Sequence, residues 1–310
     1  MLRGVAALVT IMLALTGLAA SWLAGVHIPF VEGKTYIAVQ KLHAAFTPRP
    51  DGSNGPLFIM FIGSDLRPGV GGARGDALHL MGINPTLHQA TILDIPRDTC
   101  ADVPGSGHTK INAANEGGNA AQQTQAVASL VGVPVSYAVE VDFAGFMALV
   151  DGVGGVDVNI PYPMHDSYSN ADFDPGPRHL NGVLALAFAR DRHSFPTSDI
   201  QRTWDQGYLM IAAIQKLEKS YSTIAGRFQL AALMMQHAQL SGMDLQDLVK
   251  LGQVADDIAP NGIKTVTMPS TGGNCLTPTA SARALFADFR DDGVLESYPA
   301  GTPQDVSPSP

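Results

Sequence analysis

The sequence has no surplus of positive charge. Its 310 residues include 19 lysines and arginines against 28 aspartates and glutamates, which gives a formal net charge of −9. Proteins that bind nucleic acid generally carry excess positive charge, because they must displace counterions from phosphates. The composition therefore excludes a general nucleic-acid binder, and any site for an anion must be local.

Common metal and nucleotide motifs are also missing. The chain has only two cysteines, and its nine histidines include no His-x-x-x-His pair, so neither residue type has the spacing of a zinc site. The glycine-rich segment "GVGGARG" fits neither the P-loop pattern nor the dinucleotide pattern. "IGSDL" lacks the second glycine of a nucleophile elbow, so Ser64 is not predicted to be a nucleophile.

A long apolar run opens the chain. Residues 4–26 carry no charge and follow a single Arg3, which favours an uncleaved signal anchor over residues 1–30, although "LAA" and "LAG" also fit a cleaved signal peptide. The short positive flank predicts that the rest of the chain is exported, as the extracytoplasmic part of a single-pass membrane protein. In that oxidising location Cys100 and Cys275 are predicted to form a disulfide.

Strand-like and helix-like segments interleave in the rest of the chain. Apolar or alternating runs predict strands at residues 57–63, 78–84, 90–96, 137–143 and 154–160. Helices are predicted at residues 119–132, 143–155, 198–220, 244–258 and 281–293. The alternation at 137–143 is typical of a strand with one solvent-exposed face. This order predicts an α/β domain with helices about a central sheet.

Composition also predicts the domain boundaries. A joint rich in proline, glycine and asparagine near residue 50 ends a juxtamembrane linker at residues 31–55. The exported domain is expected at residues 56–297. Residues 298–310 are rich in proline and serine and are predicted to be a disordered tail.

Arginine is strongly preferred over lysine in the first part of this domain. Residues 56–215 contain a single lysine, Lys110, and seven arginines: Arg67, Arg74, Arg97, Arg178, Arg190, Arg192 and Arg202. The planar guanidinium group binds phosphate oxygens in pairs and keeps its charge, so this preference indicates a phosphate or pyrophosphate site. On an isolated helix Arg202 and Gln206 would face solvent. Ser198 and Gln201 have the spacing of a capping box at the start of that helix.

Two aspartates accompany the arginines that follow the first predicted strand. One interpretation of Asp65 and Asp76 is that they are ordinary turn residues. The other reading is a Mg²⁺ site, because this ion is usually bound by one or two carboxylates together with substrate phosphates.

The ordered set of motifs resembles the LytR-CpsA-Psr (LCP) proteins of Gram-positive cell walls. The resemblance runs through "FIGSDLR", "RGDALHLMGINP", "LDIPRDTC", "LNGVLALAFARDRH" and "DIQRTWDQ" over about residues 57–217. It implies an α/β/α domain with a central mixed sheet, helices on both faces and an N-terminal transmembrane helix. The alanine- and glycine-rich composition, with the cysteine pair, suggests an actinobacterial member.

The resemblance also implies an activity. Members of the family are phosphotransferases that move a glycopolymer, such as wall teichoic acid or arabinogalactan, from a polyprenyl-pyrophosphate carrier to peptidoglycan or a related acceptor. Asp65 and Asp76 match the residues associated with Mg²⁺. The positions that match the pyrophosphate-binding set are Arg74, Arg97, Arg190, Arg192, Arg202 and Gln206. Asp76, Arg74 and Arg97 are the expected catalytic residues, and Asp76 or Asp65 is the candidate for taking the hydroxyl proton.

Several positions depart from the family pattern. Asp205, Gln206 and Gly207 stand where Arg-Gln-Gln is frequent, Gly75 stands where serine is usual, and His193 follows the Arg-x-Arg pair. Two other readings therefore stay open: a hydrolase of polyprenyl pyrophosphate, in which water replaces the sugar hydroxyl, and a protein that binds the lipid carrier without catalysis.

Overall fold

The computed structural model describes residues 55–65, 74–258 and 262–296, without the side chains of residues 246, 249 and 250. The predicted anchor at 1–30, almost all of the linker at 31–55 and the tail at 298–310 lie outside these residues, so the domain boundaries stay predictions. Within the described ranges, no helix is long and apolar enough to cross a bilayer.

The described chain alternates strands with helices, as the sequence predicts. The strands are β1 (Leu57–Ser64), β2 (Gly75–Asn84), β3 (Gln89–Asp94), β4 (Cys100–Val103), β5 (Gly107–Lys110), β6 (Tyr137–Val141), β7 (Val156–Ile160), β8 (Met164–Asp166), β9 (Ala171–Phe173), β10 (Gly176–Leu180), β11 (Gln239–Ser241), β12 (Ile263–Thr267), β13 (Ser270–Thr271) and β14 (Thr277–Pro278). The helices are α1 (Ala120–Val131), α2 (Phe143–Gly152), α3 (Gly182–Arg190), α4 (Asp199–Tyr221), α5 (Ile224–His237), α6 (Leu245–Asp256) and α7 (Ala280–Asp292), and a 3₁₀ turn covers Ile111–Asn115.

The central sheet is mixed. Its six strands lie in the order β11-β6-β1-β2-β3-β12. β1 pairs antiparallel with β2 and parallel with β6, while β3 pairs antiparallel with β2 and parallel with β12. The predicted α/β class with a central mixed sheet is therefore confirmed.

Helices cover both faces of the sheet because successive side chains of each strand point to opposite faces. From β1, Phe58 and Met60 pack with residues of α1 and α7. Leu57 and Ile59 pack on the other face with Ile211 of α4 and residues of α6. A third core joins α2, α3 and α4 to β7–β10. Helix α4 contributes to both of these last two cores, which fixes its N-terminal turn beside the sheet.

Two sequence expectations about strands are corrected. The strand at 137–143 is shorter than predicted, and its residues Tyr137 to Glu140 are all buried. It has no solvent-exposed face, because Ala138 packs into the core on one side of the sheet and Tyr137 into the core on the other. The strand predicted at 154–160 forms as β7, but it pairs with β10 outside the central sheet.

Candidate active site

Two of the predicted aspartates lie at one end of the central sheet. β1 ends at Ser64, which is opposite Gly75 at the start of β2, with a register shift between Gly63 and Ser64. Asp65 and Asp76 are therefore brought to the same edge. Oδ1 of Asp65 accepts a hydrogen bond from the backbone N–H of Arg74 at 2.8 Å, and the N–H of Asp65 donates to the Arg74 carbonyl at 3.1 Å. A Cβ atom at Gly75, the position that departs from the expected serine, would lie 2.7 Å from Oε1 of Gln123.

Arg97 connects this edge of the sheet to helix α4. It follows β3, and its Nη1 donates to Oδ1 of Asp76 at 2.9 Å while its Nε donates to Oδ2 of Asp199 at 2.8 Å. Burial lowers the pKa of Arg97, but the charges of Asp76 and Asp199 outweigh burial and raise it overall. Arg97 is therefore a fixed positive charge.

The first turn of α4 supplies Asp199 and Arg202. Together with Asp76, Arg97 and Arg192 they form a charged cluster, called the centre below. Nη2 of Arg202 lies 3.3 Å from Oδ2 of Asp199 and contacts the carbonyl oxygen of Asp76 at 3.4 Å. Arg202 is buried, so the alternative that it faces solvent is wrong. Its pKa is lowered by burial, which the charge of Asp199 opposes. Its Nε has no hydrogen-bond partner in the described part of the chain.

The capping box predicted at the start of this helix is wrong. Ser198 precedes α4 with φ 41°, and its side chain makes no capping hydrogen bond. The positive φ turns this residue away from the extended geometry that an N-cap side chain usually requires. Gln201 instead donates to the hydroxyl of Tyr162 and, at 3.3 Å, to Oδ1 of Asp205.

Of the other predicted site residues, Arg192 reaches this centre, whereas Arg190 and Gln206 contact other residues. Nη1 of Arg192 lies 4.0 Å from Oδ1 of Asp199, so Arg192 approaches the same carboxylate as Arg97 and Arg202. The guanidinium carbon of Arg190 lies 5.0 Å from the ring centre of Phe143. The amide nitrogen of Gln206 donates to the carbonyl of Ala189 at 2.8 Å, which ties α4 to the end of α3.

Asp199 is the residue of this centre that sequence reasoning missed. It contacts three arginines, Arg97, Arg192 and Arg202, whereas the sequence analysis assigns it no role. The available signal was its place three residues before Arg202, where side chains of a helix meet. Three guanidinium groups thus lie around the carboxylate of Asp199, and one of them, that of Arg97, also pairs with Asp76.

A disulfide holds the segment that carries Arg97. Cys100 and Cys275 are joined, with their Cα atoms 5.4 Å apart, which is the pairing that the sequence analysis expects. The Leu276 carbonyl accepts the N–H of Cys100 at 2.8 Å, and the N–H of Leu276 donates to the Asp98 carbonyl at 2.9 Å. Lys110, the single lysine of residues 56–215, pairs with the Asp98 side chain at 3.2 Å. It therefore helps to hold the segment that carries Arg97.

The departures from the family pattern have a structural explanation at Gly207. A Cβ atom there would lie 2.5 Å from Oδ1 of Asp94 and would also contact Thr265. Asp94 is fully buried, accepts from Thr265 and bonds to Nδ1 of His79 at 2.6 Å. Burial raises the pKa of Asp94, although His79 and Thr265 oppose this. A side chain larger than hydrogen has no room beside this cluster.

Asp205 also belongs to a buried network. Its Oδ1 accepts hydrogen bonds from Tyr162 and Gln201. Burial, with a smaller contribution from the charge of Asp191, raises its pKa to about 7, against the opposing effect of those hydrogen bonds. Asp205 is therefore turned inward, toward Tyr162, and its raised pKa reduces the negative charge that it carries near neutral pH.

The donor set at the sheet edge fits a magnesium ion. Carboxylate oxygens are the protein ligands that Mg²⁺ prefers, with phosphate oxygens or water completing its shell. In the described residues Asp76 uses only Oδ1 for its ion pair, so Oδ2 remains for a metal. No group of three or more His, Cys, Asp or Glu side chains suited to a metal occurs in the described ranges. The fit therefore depends on phosphate ligands.

Comparison with known proteins gives a consistent result. The family model described as LytR_cpsA_psr matches residues 31–284. The chain is 37% identical over 162 residues to the Bacillus cereus polyisoprenyl-teichoic acid–peptidoglycan teichoic acid transferase TagU, covering 52% of each. It is 34% identical over 180 residues to the Bacillus subtilis enzyme of the same description, TagV, covering 55% of this chain and 46% of TagV. The chain thus spans about half the length of the curated relatives it matches.

Solved structures share the fold. The crystal structure of B. subtilis TagV superposes with a TM-score of 0.64 at 28% identity, covering 75% of this chain and 94% of TagV. A LytR-Csp2A-Psr enzyme from Actinomyces oris gives a TM-score of 0.64 at 22% identity, covering 76% and 90% of the two chains. Because the family model covers most of the sequence, the chain belongs to the LytR-CpsA-Psr family.

Proposed function

We propose that the protein transfers a glycopolymer of the teichoic acid class, as a glycosyl phosphate, from a polyprenyl-pyrophosphate carrier to peptidoglycan. The names of the relatives at 34–37% identity describe this type of transfer. The resemblance in the motifs points the same way, because each quoted segment contributes a residue to the candidate site or to its support.

One observation carries the proposal. Arg97, Arg192 and Arg202 converge on Asp199, and Asp76 is the other carboxylate of the centre. Guanidinium groups clustered in this way suit a ligand with several anionic oxygens. The unpartnered Nε–H of Arg202 is a buried charged donor, and a phosphate oxygen would satisfy it.

The carrier's prenyl chain needs an apolar surface beside the arginines. Arg190 lies over Phe143, the first residue of α2. Residues of α2 such as Phe146 and Met147 are only partly buried, and Val183 of α3 and Ile224 of α5 are exposed. Helix α2 packs against both α3 and α5. They offer an apolar surface that begins at a pyrophosphate-binding arginine.

The chemistry follows from the charges. An acceptor hydroxyl attacks the sugar-side phosphorus, and polyprenyl phosphate leaves with the electron pair of the broken anhydride bond. Arg97 and Arg202 stabilise the negative charge on the transferring group, which is how phosphoryl transfer is generally catalysed. Asp65 and Asp76 would hold Mg²⁺, which supplies further charge neutralisation at the phosphate oxygens.

The proposed location is the outer face of the membrane. The apolar run at residues 4–26 would anchor the chain, and the domain would meet both the lipid carrier and the cell wall. The disulfide is consistent with an oxidising compartment.

A transfer assay tests the proposal. The purified protein is incubated with a short polyprenyl-pyrophosphate-linked saccharide, Mg²⁺ and peptidoglycan fragments, and phosphorus-containing products are followed by mass spectrometry. We expect saccharide joined through phosphate to peptidoglycan, with loss of the product on chelation of Mg²⁺ and in Arg97→Ala. Arg178→Ala is the matched control, because Arg178 lies on β10, outside the centre.

Other products would contradict the proposal. Free saccharide phosphate formed at the same rate with and without peptidoglycan would identify a hydrolase. Bound but intact lipid would identify a carrier-binding protein.

A further inference from the structure

A histidine and an aspartate form an oriented pair next to the arginine centre. Nδ1 of His193 lies 3.0 and 2.9 Å from the two carboxylate oxygens of Asp166. Asp166 ends β8 and is buried, whereas the side chain of His193 is 41% exposed. The carboxylate therefore fixes one ring nitrogen, and the other side of the ring remains accessible.

Asp166 is held in its charged form. Its oxygens accept the backbone N–H groups of Tyr168 at 2.9 Å and Arg192 at 3.3 Å. Burial opposes the charge, but the hydrogen bonds from His193 and from these backbone groups outweigh it and lower the pKa of Asp166. A charged carboxylate at Nδ1 favours the tautomer in which Nδ1 carries the hydrogen, so Nε2 presents a lone pair, as in hydrolase triads.

This arrangement differs from the other histidine–aspartate pairs in the described residues. In His108–Asp102, His165–Asp172 and His179–Asp157 the carboxylate is more than two thirds exposed, and exposed pairs orient a ring weakly. In His79–Asp94 both partners are buried. Within that set, His193–Asp166 alone combines a buried carboxylate with an accessible imidazole.

The pair lies one arginine side chain from the phosphate-binding centre. The N–H of Arg192 donates to Asp166, and its guanidinium lies 4.0 Å from Asp199. Arg192 thus spans the space between the two groups, and His193 is the next residue. The imidazole therefore follows directly in the chain on an arginine that reaches Asp199.

An exposed aromatic ring completes this surface. The ring of Tyr168 is centred 4.7 Å from that of His193, yet Tyr168 is 78% exposed. An accessible aromatic face next to a polar hydrogen-bonding group suits a saccharide, which presents apolar C–H faces and hydroxyl groups together.

The proposed reaction needs a proton acceptor that the centre itself does not offer well. Arginine stays protonated, and a carboxylate engaged by a guanidinium or a metal ion is a poor base. Asp76 is paired with Arg97, and Asp65 accepts the Arg74 N–H. An oriented neutral imidazole is the usual solution to this requirement.

We propose that Tyr168 and His193 form the subsite for the acceptor saccharide, in which Nε2 of His193 removes the proton from the attacking hydroxyl. The hydroxyl oxygen then bonds to the sugar-side phosphorus, the anhydride bond breaks, and polyprenyl phosphate leaves with its electron pair. The proton stays on His193 until solvent or product removes it. This inference rests on the proposed transfer function.

His193→Gln tests the role of the imidazole. Glutamine keeps a donor but cannot take the proton, so we expect kcat for transfer to fall by about 100-fold or more, with the affinity for the lipid carrier within about twofold of wild type. The wild-type rate should fall as pH is lowered, because a protonated imidazole is no base. Asp166 and Tyr168 are the titratable groups that contact this ring, and Arg192 is its neighbouring charge. In His193→Gln this acidic limb should be lost.

His165→Gln is the matched control. His165 precedes Asp166 on β8 and belongs to an exposed pair with Asp172, so this variant should transfer like wild type. A His193→Gln enzyme with wild-type kcat overturns the inference, while the transfer function stands. A variant that loses carrier affinity and kcat together, and whose rate still falls at low pH, would show that His193 only holds the loop of Arg192. That result would also overturn the inference. No glycosyl phosphate product from wild type contradicts the transfer function and this inference together.

Tyr168→Ala tests the saccharide contact separately. Loss of a stacking ring should raise KM for the peptidoglycan acceptor about 3–10-fold with little change in kcat, while Tyr168→Phe should retain the wild-type KM. An unchanged KM in Tyr168→Ala would remove Tyr168 from the subsite.

Discussion

Nε of Arg97 donates a hydrogen bond to Oδ2 of Asp199 across 2.8 Å, although the two residues are 102 positions apart in the chain. The bond joins the end of β3 to the first turn of α4. Arg202 reaches the same oxygen at 3.3 Å. Asp199 therefore orients two of the arginines that we assign to the pyrophosphate, and it does so before any ligand is bound.

Asp199→Asn should reduce transfer. The amide removes the charge that holds Arg97 and Arg202, so the two guanidinium groups lose their orientation toward the transferring phosphate. We expect kcat/KM to fall about 10–100-fold, equivalent to about 1.4–2.7 kcal/mol. Steady-state kinetics with the carrier-linked saccharide would check this. Asp172→Asn, in an exposed pair, should be neutral, and wild-type kcat/KM in Asp199→Asn would contradict this role.

Gly207→Ala should destabilise the fold. The added Cβ would approach Oδ1 of Asp94 at 2.5 Å and would also contact Thr265, and overpacking of this kind typically costs about 1–3 kcal/mol. Urea unfolding gives the change. Gly273→Ala is the control, because a Cβ at Gly273 meets no atom within 4 Å. Equal unfolding free energies for the two variants would show that the Asp94 cluster tolerates the methyl group.

The stability of the protein should depend on pH through Asp205. Its folded pKa of about 7 exceeds the value of about 3.9 expected for an unfolded chain. Between these values the folded state binds more protons, so the contribution of this carboxyl to the free energy of unfolding decreases as pH rises. It is fully present below about pH 4 and is lost above about pH 7.

Asp205→Asn removes this dependence. Relative to wild type, the variant should gain up to about 1.4 kcal/mol in unfolding free energy for each pH unit between pH 5 and pH 7. Urea unfolding at the two pH values measures the difference. If the difference between variant and wild type were the same at both, Asp205 would not titrate in this range.

The disulfide should stabilise both the fold and the Arg97 segment. Cys100 and Cys275 are separated by 175 residues, and the double change Cys100→Ser and Cys275→Ser should cost about 2–4 kcal/mol in unfolding free energy. Thermal unfolding with and without reductant tests this: reductant should lower the Tm of wild type but leave that of the double variant unchanged. Equal thiol counts in denatured wild type with and without reductant would disprove the bond.

Periodicity predicted several of the long regular elements, but not the helix α5, Ile224–His237. The helix predicted at 198–220 forms as Asp199–Tyr221, and the strand predicted at 57–63 forms as Leu57–Ser64. Helix α3 was missed because Gly182–Arg190 is a short apolar segment whose pattern fits a strand or a helix. β11 was missed for a related reason, since its three residues gain their structure from pairing with β6.

The sequence named several of the clustered side chains but not the contacts between them. The motifs identified Asp76, Arg97 and Arg202, which the structure brings together. The role of Asp199 as their shared partner could not be read from the sequence, because it depends on α4 being packed beside β3. The same holds for Asp166 and His193, which are 27 residues apart and meet only because the β8–β9 hairpin folds back on the loop after α3.

The most direct test of the central claim is the affinity of the protein for carrier headgroups, measured by calorimetry with a short-chain polyprenyl pyrophosphate and the matching monophosphate. Arginines that converge on a pyrophosphate should bind it at least about tenfold more tightly than the monophosphate. Arg97→Ala should lose most of this preference, while Arg178→Ala should keep it. Equal affinities of the wild-type protein for the two lipids would contradict the assignment of this centre to pyrophosphate.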